Sequence, residues 1–129
     1  NKNKLSSIIK LFKTKKIRTS LFINPSLQDI YTSKKIGADC VEIHTGRFAN
    51  LVKSKKKNKN ELIRIIKCSK VADQIGLEVH VGHGLDYESA KILANIDQVK
   101  EFNIGHFIIG ESIFYGLNKV IKRFKKIIK

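Results

Sequence analysis

The chain has 129 residues, 42% of them hydrophobic, and a formal charge of +15 from 26 Lys and Arg against 11 Asp and Glu. That length holds one modest core and excludes two domains. The charge invites a nucleic-acid partner, yet only Arg18, Arg47, Arg64 and Arg123 are arginine, the residue that base readers and phosphate clamps favour, and lysines are spread over every helical segment. We therefore expect a solvated basic surface, able to attract phosphorylated metabolites, and no nucleic-acid partner.

In chain order, Leu5 to Lys16 carries Leu5, Ile8, Ile9 and Phe12 on one helical face. Ile17 to Asn24 (IRTSLFIN) reads as a strand that stops at the turn Asn24-Pro25-Ser26. Leu27 to Ile36 follows as a short helix ended by Gly37, and Cys40 to Gly46 (CVEIHTG) as the second strand. The run Lys53 to Lys59 (KSKKKNK) is expected to be a solvated loop, with a phosphate-attracting lid as the sharper alternative. Asn60 to Gly76 reads as a helix with Asn60 as its N-cap, and Leu77 to Gly84 as the third strand. Tyr87 to Ile96 is expected to be a helix, Phe102 to Gly110 the fourth strand, and Ile113 to Lys129 a final amphipathic helix, opened by Gly110.

No apolar run approaches the ~20 residues of a membrane span, and the N-terminus lacks a signal-peptide pattern, so a soluble, cytoplasmic protein without a membrane partner is expected. A start at Asn1, with no methionine anywhere, suggests a piece of a longer or processed chain. Cys40 and Cys68 have no CxxC spacing and are expected as buried free thiols.

Four alternations of helix and strand call for a parallel sheet with crossover helices, either doubly wound or closed into a barrel. In CVEIH, Glu42 and His44 face one way while Val41 and Ile43 face the other. LEVHV repeats this with Glu78 and His80 against Leu77, Val79 and Val81. Polar mid-strand residues need a wet or paired face, which a barrel lumen provides and a sheet covered by helices on both sides does not. Three strands run into polar, glycine-bearing ends, at EIHTG, GHGL and NIGHFIIG, which suggests one shared rim for an anionic substrate.

Those three motifs, in this order and at these separations, resemble the pyridoxine 5'-phosphate synthase family, from about Ile17 to the end of the chain. The resemblance implies a (β/α)8 TIM barrel within the α/β class. Such a barrel needs about 250 residues, so residues 1–129 are expected to be the C-terminal half of a single TIM-barrel domain, strands five to eight with their helices. It further implies a ring-closing synthase of the transferase class, with no metal and no organic cofactor. The substrates would be 1-deoxy-D-xylulose 5-phosphate and 3-amino-2-oxopropyl phosphate, and the products pyridoxine 5'-phosphate, inorganic phosphate and water. By motif match, His83 corresponds to the proton donor and Glu42 to a carboxylate that stabilises the transition state. Gly84, Gly105 and His106 correspond to contacts with 3-amino-2-oxopropyl phosphate. A homo-oligomer is also implied.

Read from the residues, a histidine between Gly82 and Gly84 can reach a substrate over bare backbone, against the alternative of a turn histidine that caps a carbonyl. Glu42 is either functional or half of a structural ion pair. His106 is either a contacting side chain or a histidine packed toward the helices. His44, His80, His83 and His106 do not have zinc spacing, so no metal site is expected. Nothing in the chain matches the family's front-half motifs, so on its own it is expected to be catalytically incomplete. Another phosphate-binding TIM-barrel enzyme, and a non-catalytic half-barrel relic or binding subunit, remain as alternatives.

Overall fold

In the computed structural model, which describes residues 2–128, the four expected strands form one parallel sheet in chain order. They are β1 (Ser20–Ile23), β2 (Cys40–His44), β3 (Glu78–Gly82) and β4 (Val99–Asn103). A doubly wound sheet reverses its strand order at a switch point. Here every crossover steps the same way, and right-handed crossovers then put all connecting helices on one side. The chain is thus an arc of a TIM barrel, with β1 and β4 at its two edges.

The helices are α1 (Lys2–Thr14), α2 (Leu27–Ile36), α3 (Gly46–Lys53), α4 (Lys59–Gln74), α5 (Tyr87–Leu93), α6 (His106–Tyr115) and α7 (Leu117–Ile127). The period-2 pattern of the strands sorts their side chains as the sequence predicts. Val41, Ile43, Val79 and Val81 are buried in one cluster with Ile30 of α2, Phe48 of α3 and Ile65, Cys68 and Ala72 of α4. The opposite face carries Phe22, Glu42, His44, Glu78, His80, Glu101 and Asn103. A second small cluster, Ala90, Val120 and Phe124, seats α7 against α5.

Local chemistry fixes the ends. Gly37 takes the left-handed conformation at φ 95°, and its amide donates to the carbonyls of Ser33 and Lys34, which closes α2. Asp86 opens α5 with a capping box: its carboxylate accepts from the Ser89 amide at 2.8 Å, and the Ser89 hydroxyl accepts from the Asp86 amide at 2.9 Å. Cys40 and Cys68 are buried and unpaired with each other, and burial raises both thiols above their ordinary pKa.

Several expected boundaries are corrected. The fourth strand is Val99–Asn103, not Phe102 to Gly110, and HFIIG begins α6. A short apolar run bounded by glycines reads equally as a strand or as a helix segment, and α6 is apolar on every side, so it carries no amphipathic stripe to mark it as a helix. Gly110 consequently sits inside α6 and opens nothing; Gly105 is the N-cap. The single final helix is two, broken at Gly116 (φ 80°, ψ 140°), and its expected end at Lys129 lies outside the described residues. Gly46–Lys53, expected as strand end and loop, is α3, which buries Phe48, Ala49 and Val52. The N-cap of α4 is Asn58 rather than Asn60, so the lysine-rich connection is shorter than expected.

Asp39, in the turn before β2, accepts from the Thr19 amide at 2.8 Å and from the Thr19 hydroxyl at 2.9 Å, which ties β1 to β2. The backbone amide of Thr19, followed by its hydroxyl and by Lys13, holds the Asp39 carboxyl below its ordinary range. The folded chain therefore keeps this group ionised to lower pH than the unfolded chain does. Its stabilisation is present above the ordinary carboxylate pKa of about 3.9 and is lost as pH falls through the folded value. Replacing Asp39 with Asn should flatten the decline of melting temperature between about pH 5 and pH 2, measured by circular dichroism.

Candidate active site

Glu42, His83, Gly84, Gly105 and His106 line one cavity of about 780 Å³ at the C-terminal ends of the strands. Phe22, Asn50, Lys53, Asp86, Asn103 and Phe107 complete much of its wall. The structure thus brings together the five residues that the motifs single out.

His83 occupies the turn after β3 with φ 76°, a left-handed conformation that non-glycine residues adopt uncommonly and that concentrates at functional sites. What holds it there is Thr45, fully buried at the end of β2. Its hydroxyl donates to the carbonyl of Gly82 at 2.6 Å and also lies 2.9 Å from that of His83, while its amide donates to Gly82 at 2.8 Å. The His83 ring stacks on His44 with centroids 4.6 Å apart and planes at 26°. His44 in turn meets Phe22 edge-on at 5.2 Å. Gly46 makes the stack possible, because a Cβ there would come within 2.8 Å of both imidazoles. Thr45 and His44 stand in the EIHTG motif, and the sequence reading assigned neither; only the fold shows that the end of β2 braces the turn after β3.

Glu42 projects from the middle of β2 on the polar face. One of its oxygens, Oε2, accepts from the Asn103 side-chain amide at 2.9 Å. The partner is a neutral amide and not a cation, so the ion-pair alternative finds no support among the described residues. Gly105 and His106 are exposed at the start of α6, with nothing within 4 Å of a Cβ built on Gly105. The first amides of a helix have no intrahelical partner and carry the positive end of its dipole, so they suit an anion. His106 is therefore on the cavity side and exposed, not packed toward the helices.

The four histidines do not converge. His44 and His83 stack, His106 starts α6, and His80 lies lower on β3, buried, with Nε2 bonded to Glu78 at 2.9 Å and Nδ1 3.5 Å from Glu101. Among the described residues, donor atoms of Cys40, Glu78 and His80 lie within 4.8 Å of one another, a spacing that could hold a cation and that the sequence reading missed. The Arg18 guanidinium and Nε2 of His80 both already pair with one oxygen of Glu78, Oε1. The His80 hydrogen bond, then Arg18, lowers the Glu78 pKa, and the bond to Glu78 raises that of Arg18.

A family model described as "Pyridoxal phosphate biosynthesis protein PdxJ" matches residues 1–129. The chain belongs to this family. Within it, the chain is 56% identical over 127 residues to the pyridoxine 5'-phosphate synthase of Pelagibacter ubique (strain HTCC1062), which covers 98% of this chain and 53% of that relative. To the pyridoxine 5'-phosphate synthase of Sulfurihydrogenibium sp. (strain YO3AOP1) it is 44% identical over 124 residues, 96% of this chain and 50% of the relative. To that of Zymomonas mobilis it is 46% identical over 109 residues, 84% and 42%. The chain spans about half the length of the curated PdxJ relatives it matches. Among the described residues no helix is long and apolar enough to cross a membrane.

The turn after β3 offers a direct check of this site. Gly84 has φ 76°, and a Cβ on it would lie 3.3 Å from the Cα of Gly46. Gly84→Ala should cost about 1–2 kcal/mol from the left-handed backbone alone, read as a lower denaturant midpoint with an unchanged slope.

Proposed function

We propose that the chain is the back half of a pyridoxine 5'-phosphate synthase barrel, contributing strands five to eight. The whole barrel would condense 1-deoxy-D-xylulose 5-phosphate with 3-amino-2-oxopropyl phosphate to pyridoxine 5'-phosphate, phosphate and water. The observation that carries this reading is the convergence of Glu42, His83, Gly84, Gly105 and His106 on one cavity. It gains support from the synthase names of the relatives and from the unpaired outer edges of β1 and β4, which a closed barrel would cover.

In this reading the bare amides of Gly105 and His106 and the start of α6 hold the phosphate of the amino ketone, with Lys53 adding a cation to the same cavity. The glycines beside His83 let the substrate approach the imidazole, which donates a proton to an oxygen that leaves as water during ring closure. Glu42 sets a carboxylate beside the developing positive charge at the reacting nitrogen. Residues on the front strands would hold the sugar phosphate and take up protons.

The test replaces the 127 matching residues of the Pelagibacter ubique relative with this segment and assays product from the two substrates. The grafted barrel should be active, and His83→Ala should lower kcat by about 10²–10⁴-fold. A folded graft that forms no product, or one in which His83→Ala turns over normally, refutes the reading.

A further inference from the structure

Glu42 and Asn103 hydrogen-bond although a whole strand lies between them. Glu42 is on β2 and Asn103 on β4, with β3 intervening, and neighbouring strands lie about 4.8 Å apart. The parallel register sets His44 beside Gly82 and Gly82 beside Asn103, so Gly82 is the residue over which the Glu42 side chain must lean. A Cβ on Gly82 would overlap the Glu42 carboxylate, with Cδ at 3.0 Å, and would lie 3.1 Å from the Cβ of Asn103. Gly82 has no left-handed torsion to explain it, so what glycine supplies here is room.

We propose that Asn103 and Gly82 are positioning residues for Glu42, the glycine opening a path across β3 and the amide fixing the carboxylate at its end. The proposal rests on the reading of Glu42 as the carboxylate that acts in ring closure. An asparagine suits the task because a charge-neutral donor orients the anion without cancelling its field, as a lysine or arginine would. With Oε2 engaged at 2.9 Å, rotation of the carboxylate is restricted, and Oε1 takes no side-chain hydrogen bond among the described residues. Asn103 also lines the cavity, so the bond lies at its wall and is part of the same surface. A carboxylate free to rotate over open space would lose alignment with the reacting atoms, and misplacement by about 1 Å costs on the order of 10²-fold in rate.

The experiment uses the grafted full-length barrel. Asn103→Leu keeps size and removes the donor, and it should lower kcat by about 10–100-fold with KM within about twofold, the signature of an interaction made in the transition state. Asn103→Gln, which keeps the amide on a longer arm, should recover at least half of that loss on a logarithmic scale. Gly82→Ala should reproduce the kcat loss by blocking the path. In the Glu42→Gln background, Asn103→Leu should have little further effect, because the two residues act as a unit. If Asn103→Leu lowers only melting temperature and leaves kcat per folded molecule unchanged while Glu42→Gln is inactive, the positioning role is overturned and the carboxylate role stands. If Glu42→Gln is itself fully active, the underlying reading of Glu42 fails. Should Asn103→Leu not fold, Asn103→Asp, which sets a second carboxylate against the first, decides the same question by the same kcat criterion.

Discussion

The parallel register of β2, β3 and β4 is the constraint on which the site depends. It sets the ends of β2 and β3 side by side, so that Thr45 can pin the turn carrying His83 and the Glu42 side chain can reach Asn103. Because the side-chain period of a strand is two residues, a slip of one position on β3 would turn His80 into the apolar core and push Val79 and Val81 out of it. The apolar cluster on the helix side therefore enforces the geometry on the other face. Burial of Val41, Ile43, Val79 and Val81 contributes on the order of 1.5–3 kcal/mol for each side chain, and all of that favours this one register.

The polar face divides into two levels. At the level of the strand starts, Glu78 pairs with Arg18 and with His80, and Glu101 lies 3.5 Å from the other ring nitrogen of His80. At the level of the strand ends, Glu42, His83 and the amides of Gly105 and His106 border open space, with Asn103 and His44 bracing them from the side. The two levels match the division of labour in TIM barrels, where the strand starts serve stability and the strand ends serve chemistry.

Much of this was legible in the sequence because it follows from period. Alternation in CVEIH and LEVHV assigned the faces of β2 and β3 correctly, and glycine at 37 marked the end of α2 to the residue. The motif glycines pointed to the rim where Glu42, His83, Gly84, Gly105 and His106 now meet. What failed was the reading of HFIIGESIFY, whose even apolarity gives no helical stripe, and of GRFANLVK, which is a short helix hidden by the glycine that starts it. The bracing residues were also illegible. Thr45 to the turn carrying His83, and Glu42 to Asn103, are links between strands separated by 38 and 61 positions, and only the register relates them.

The two thiols lie on opposite sides of the sheet. Cys68 is within the apolar cluster under α4, whereas Cys40 is on the polar face beside Arg18 and Glu78. Since burial disfavours the thiolate in both, neither is a ready nucleophile in the folded chain. Each becomes alkylatable only when its own layer opens. The molecule thus carries two native clocks, one for the helix layer peeling away and one for the packing around the start of β2 coming apart, and their relative rates would tell which lets go first.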